Sequence, residues 1–186
     1  MIIVIVVIVL IVILALIALV TYNGLVKARN MCDEAWSTID VQLKRRHDLI
    51  PNLVETVKGY ATHETEAFEN VSNARAAAIG ARTPAEAAKT ESFLTQALGQ
   101  LFAIAEAYPQ LRAVESFTQL QAELANTEDQ ISAARRVYNG NVQTYMTKCQ
   151  QFPGALFAGP FGFSPRAFFE LDTPAEREPV KVDFSS

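Results

Sequence analysis

MIIVIVVIVLIVILALIALV, residues 1–20, decides how the rest of this chain is read. Residues 2–20 are apolar without exception and contain no glycine or proline. As a helix rising 1.5 Å per residue, such a run spans roughly 30 Å, the thickness of a bilayer's hydrocarbon core. A buried strand is also rich in Ile and Val, but it ends after about 4–8 residues. This run does not end. A cleavable signal peptide has a basic segment before a shorter apolar core and small residues at its cleavage site. Here no Lys or Arg precedes Lys27, and Ala15 and Ala18 lie within the apolar run. Residues 1–21 are expected to form an uncleaved transmembrane anchor in the lipid bilayer.

Orientation follows from the basic residues that flank the span. Lys27 and Arg29 follow it and no basic side chain precedes it, which places the C-terminal side in the cytoplasm. The expectation is a single-pass protein of the cytoplasmic (inner) membrane, with its N-terminal tip outside and its helical part in the cytoplasm. Charged residues make up 19% of the chain and the formal net charge is −4. None of that charge lies in the anchor, so residues 22–186 are mildly acidic and hold one domain's worth of sequence. Such a balance argues against a broad nucleic-acid surface. Lys44, Arg45 and Arg46 form one short basic cluster, readable as solvated surface. Cys32 and Cys149 match no metal or redox spacing and read as free thiols. A disulfide between them would follow only with the orientation reversed.

Beyond the anchor the apolar residues recur at helical spacing. Positions 25, 32, 36, 39 and 43 predict a helix over about 22–47, continuous with the anchor across Gly24. Trp36 lies roughly 24 Å of helix past the span, which favours a core role over a membrane-interface role. Pro51 predicts a helix start or a kink, with Asp48 as a cap, and the stripe 50, 54, 57, 61, 68 and 71 carries a second helix over about 49–80. Thr83-Pro84-Ala85-Glu86 is a capping box with proline at the first helical position. It starts a third helix, about 84–108, buried through Phe93 or Leu94, Ala97, Leu98, Leu101, Phe102 and Ala105. A fourth helix, about 112–151, has a seam at 117, 120, 124, 127, 131, 134, 138, 142, 145 and 149. The expected fold is all-α: a transmembrane helix followed by an up-and-down antiparallel four-helix bundle over 22–151, with joints at 47–51, 80–83 and 108–112. That topology returns position 150 towards the bilayer and brings Cys32 and Cys149 to one end.

Residues 152–186 break the periodicity with Pro153, Gly154, Gly159, Pro160, Gly162 and Pro165. They nevertheless carry Phe152, Phe157, Phe161, Phe163, Phe168 and Phe169, unlike a disordered linker. Two uses compete. These phenylalanines cover the membrane-proximal end of the bundle, or they touch lipid or a partner subunit. From Asp172 onward the chain reads as a polar tail.

No catalytic, cofactor-binding or metal-binding residue emerges. A di-metal bundle needs Glu-x-x-His on two helices, whereas His63 precedes Glu66 in the reverse order and His47 is followed by no acidic pair at i+4. No glycine-rich phosphate loop, Cys-x-x-Cys or His-Glu-x-x-His occurs. Ser37 and Asp40 share a face that neither histidine reaches, so no nucleophile, base and acid converge. Asn23, Asn30, Asp40, Gln42, Glu64 and Asn139 read as caps or interhelical hydrogen bonds, with Asp40 and Gln42 open to facing a partner.

Three blocks resemble the LemA family: Tyr22-Asn23 through Arg29-Asn30, AWSTIDVQLKRRHDLIPNLVETVKGYATHE (35–64) and AEAYPQLRAVESFTQLQAELANTEDQISAARRVYN (105–139). Phe152-Pro153 and Phe168-Phe169 resemble its ending, and Met146 departs from the family's Tyr-Asn repeat after Tyr145. The resemblance implies an N-terminal transmembrane helix, an outside N-terminal tip and a cytoplasmic helical bundle, and supplies no catalytic residues. Two functions remain open: a non-enzymatic structural or scaffolding protein that assembles at the cytoplasmic membrane, as a homo-oligomer or with another membrane protein, or an adaptor or accessory subunit of another membrane protein such as a transporter, protease or signalling kinase. No cofactor and no small-molecule substrate is expected.

Overall fold

The computed structural model describes residues 1–170. They form six helices: α1 (Ile2–Lys58), α2 (Thr65–Gly80), α3 (Pro84–Glu106), α4 (Pro109–Arg112), α5 (Glu115–Gln150) and α6 (Gly154–Ala158). The chain is all-α with a long apolar N-terminal helix, and the polar tail expected from Asp172 lies outside the described residues. Two compact units divide the described residues: Met1–Leu43 with Glu128–Phe168, and Lys44–Thr127 with residues 169–170.

α1 corrects one expectation. The joint expected at 47–51 is absent, so the separate helices 22–47 and 49–80 do not exist as such. A single helix of 57 residues runs to Lys58 with Pro51 inside it. Proline has no N–H for the carbonyl four residues back, here that of His47. Arg75 on α2 supplies the missing donor, its Nε–H bonding to the His47 carbonyl oxygen at 2.7 Å. Asp48, expected to cap, is an exposed residue within α1. The helix ends instead at Gly59, where the Val57 carbonyl accepts from both Tyr60 N–H and Ala61 N–H, at 3.0 and 2.9 Å.

In the unit containing residues 44–127, α2 runs back along the end of α1. Lys58 Nζ sits 5.7 Å from the Phe68 ring centroid, and Arg75 lies at His47. Ile50, Val54, Val57, Ala61, Phe68 and Val71, the expected stripe, are all buried there with Leu94, Leu98 and Leu101 of α3. Thr83 begins α3 as expected: its Oγ1 accepts from Glu86 N–H, while Glu86 Oε2 accepts from Thr83 N–H, both at 3.2 Å. The Arg82 N–H, first, and the Thr83 N–H, next among the favourable contacts, hold the Glu86 carboxyl below the usual carboxylate range. Ala107 and Tyr108 separate α3 from α4, and Pro109 opens α4, where its missing N–H is no loss.

The other unit is built from α1 up to Leu43 and α5 from Glu128, with the segment that follows α5. Leu25, Ala28, Cys32, Ala35, Ile39 and Leu43 are buried with Ile131, Ala134, Tyr138, Val142 and Tyr145. Both series step by three and four, the spacing of helices that pack at shallow crossing angles. The Trp36 ring lies 5.5 Å from that of Tyr138. Asn141 Nδ2 donates to the Met31 carbonyl at 3.0 Å and Lys148 Nζ to that of Gly24 at 3.5 Å. Higher numbers on α5 meet lower numbers on α1, so the two run antiparallel within this unit.

Candidate membrane-contact site

The apolar run lies bare. No part of its most apolar window is buried, although later residues of the same helix are packed into a core. A core helix of a soluble protein would be covered, so the apolar N-terminal helix is suited to anchoring in a membrane.

Where that run ends, the chain following α5 arrives. Lys148, in the last turn of α5, reaches Gly24, and Gly154 at the start of α6 packs against the same end of α5. A Cβ at residue 154 would overlap the Lys148 carbonyl oxygen and stand 3.9 Å from Leu25 Cδ2. Glycine is required here by the approach of one backbone to another. The Tyr22 ring then meets Phe161 and Phe163 edge-on, at 5.3 and 5.7 Å between centroids. Arg29 places its guanidinium 5.3 Å from the Phe163 centroid, a cation–π contact.

After Phe163 the chain lies along α5, fixed by its tyrosines. Tyr145 Oη donates to the Ser164 carbonyl at 2.9 Å and Tyr138 Oη to the Ala167 carbonyl at 2.8 Å. Arg166 pairs with Asp33 at 2.6 Å. Burial, first, and then a side-chain hydrogen bond with Cys149 push the Tyr145 phenol up to about 12. Burial likewise raises Cys32, and both cysteines are free thiols.

The phenylalanines of this segment divide into buried and exposed side chains. Phe163 is buried and Phe157 partly so, whereas Phe152 is 83% exposed, Leu156 63% and Phe161 56%. α6 explains the division: Gly154 and Ala158, four apart, face inward, and Leu156 lies on the opposite side.

A second cluster of polar groups is buried in the unit containing residues 44–127. Glu91 of α3 accepts from Arg46 Nη1 at 3.2 Å and lies 2.6 Å from His47 Nε2, while Arg46 Nη2 donates to Thr95 Oγ1 at 2.8 Å. The basic cluster is therefore split among three environments. Lys44 is exposed, Arg45 pairs at the surface with Glu123, and Arg46 is buried. The sequence reading missed Glu91. It stands between Ala87 or Ala88 and Leu94, on the buried face of α3, and a charge on that stripe was the available signal.

The remaining singled-out residues do not converge. Asn23, Asn30, Asp40 and His63 are exposed, and the Gln42 Oε1 is buried without a hydrogen bond. Glu64 and Asn139 are partly buried at separate positions. Among the described residues no three His, Cys, Asp or Glu side chains gather as a metal site would require. An open groove of about 450 Å³ lies beside Lys58, Phe68 and Ser72, but its lysine is engaged with Glu55 and Phe68.

Residues 35–184 match the LemA family. The chain is 26% identical to magnetosome protein MamQ 2 of Paramagnetospirillum magneticum, with 87% of this chain and 69% of that protein covered. It is 25% identical to MamQ of Magnetospirillum gryphiswaldense over the same shares of the two chains. Protein LemA of Metamycoplasma hominis is 26% identical, over 88% of this chain and 74% of that one. With most of its length matched, from the middle of α1 onward, this chain belongs to the LemA family.

Proposed function

We propose that this protein is a non-enzymatic structural or scaffolding protein that self-assembles at the cytoplasmic membrane. The observation that carries this reading is the uncovered apolar run of α1, joined without a break to residues that build a packed core. A joint of that kind transmits position: whatever fixes the span also fixes the helix beyond it. The buried polar groups Arg46, His47 and Glu91, with the partly buried Thr95, are committed to one another, which suits holding helices in register rather than a substrate. Relatives named as magnetosome proteins support a place in an organised cellular structure. Lys27 and Arg29 support an N-terminal tip outside and a helical part in the cytoplasm.

Extraction of the full chain in mild detergent, followed by mass measurement, tests the assembly. A homomeric particle is expected. A stoichiometric foreign partner would instead make the protein an adaptor, and a strictly monomeric, partnerless species would defeat both readings. Protease treatment of sealed right-side-out cells tests the orientation. The C-terminal residues should be protected, and digestion there would reverse the topology.

A further inference from the structure

We propose that residues 152–161 dock on the bilayer surface beside the anchor, inserting Phe152, Leu156 and Phe161 into the headgroup and upper acyl region. The proposal rests on the reading of residues 2–20 as a membrane span and adds a second, separate contact with the same lipid.

Position carries the inference. α5 runs antiparallel to α1 and meets Gly24 through Lys148, so the chain beyond Lys148 is delivered to the level at which the apolar run ends. Phe161 is seated on Tyr22 and Gly154 beside Leu25, both within a turn or two of Val20. A membrane that holds residues 2–20 therefore has its interface at this height. Composition agrees: from Cys149 to Pro165 there is no charged side chain, and Lys148 and Arg166 bracket the segment. Three large apolar side chains stand exposed within that charge-free stretch, while α6 turns Gly154 and Ala158 inward. In water such exposure is unfavourable, but aromatic residues are favoured where acyl chains meet headgroups. Exposed Lys27 and Lys148 lie at the same height, where their ammonium groups can reach lipid phosphates while their stems follow the apolar surface. Lipid is thus favoured over a second copy, because the anchor already brings the bilayer to this surface.

The test uses the full chain in phosphatidylcholine–phosphatidylglycerol vesicles containing lipids brominated at shallow or deep acyl positions, which quench tryptophan on contact. Phe152→Trp and Leu156→Trp each place a reporter at an exposed position, and Leu10→Trp reports on the span. Native Trp36, packed on Tyr138, is the internal reference in every sample. The expected result is blue-shifted added emission at 152 and 156, quenched at least about twofold by shallow bromines and less by deep ones. The Leu10→Trp reporter should be quenched most by deep bromines. Added emission at 152 and 156 that is red and open to aqueous iodide, with the span reporter quenched, overturns the docking and leaves the anchor standing. Blue-shifted emission that no brominated lipid quenches assigns the surface to a protein contact and overturns it too. If the span reporter itself escapes quenching, the span falls and the docking falls with it.

Discussion

The exchange of donors at the His47 carbonyl can be measured by a double-mutant cycle. Pro51 removes the N–H that would bond this oxygen, and Arg75 replaces it across 2.7 Å. Replacing Arg75 by Met keeps most of the aliphatic stem and deletes the donor. The bond is only partly buried, so the cost should fall in the lower part of the range for a lost charge-assisted bond, about 1–2 kcal/mol. Pro51→Ala restores the N–H four residues after His47. It should stabilise the protein by up to about 2 kcal/mol, as the gain of helix propensity outweighs the entropy returned to the unfolded chain. In the Pro51→Ala background the carbonyl already has a donor, and Arg75→Met should then cost less than about 0.5 kcal/mol. A coupling near 1 kcal/mol follows, larger than the ~0.3–0.5 kcal/mol scatter between independent sites. Urea unfolding of the full chain in nonionic detergent, followed by circular dichroism, reads all four corners. Equal costs for Arg75→Met in both backgrounds would refute the account of why α1 passes through a proline.

Glu91→Leu withdraws a buried carboxylate from Arg46 and His47 and should destabilise by about 3 kcal/mol, the lower end of the range because Arg46 keeps Thr95; a melting temperature within a degree or two of wild type in detergent would contradict it. Gly154→Ala forces a Cβ into the Lys148 carbonyl and should cost about 1–3 kcal/mol locally. Hydrogen exchange should accelerate over 154–163, and unchanged protection there would show that the contact yields freely. Tyr145 is held neutral well above its usual value of 10.0, so its contribution is whole below pH 10 and is lost as pH rises from 10 towards 12. Tyr145→Phe should flatten that alkaline loss of stability at a cost near 1 kcal/mol for the bond to Ser164, and an unchanged pH profile would count against it. Burial raises Cys32, so its alkylation by iodoacetamide at pH 8 should lag that of the urea-unfolded chain; equal rates would mean the site opens readily.

Much of this fold can be read from periodicity because apolar spacing is a local property. The 117-to-149 seam of α5 is buried or partly buried at every position, and the capping box at Thr83 stands as spelled. Pro51 misleads for the opposite reason. Its consequence depends on Arg75, which is distant in sequence and carries no mark of its partner. Glu91 is hidden likewise, since a glutamate in a helix reads as solvated until its neighbours on the same face are counted. The Phe-rich segment gives away its composition but not its division. Which phenylalanines turn inward depends on Gly154 and Ala158 of α6, a helix too short to announce itself by periodicity.

The unit that holds the anchor is assembled from two stretches of chain, Met1–Leu43 and Glu128–Phe168, with residues 44–127 between them. A ribosome makes the first stretch early and the second only after the intervening residues, a delay on the order of 10 s at typical elongation rates. During that interval Leu25, Cys32 and Ile39 have lost the ribosome's shelter and have not yet met Tyr138, Val142 or Tyr145. Residues 44–127, with a core of their own, are complete before the second stretch emerges. The newborn protein is therefore tethered and half-folded at once, with the face meant for α5 open to whatever shares the membrane surface.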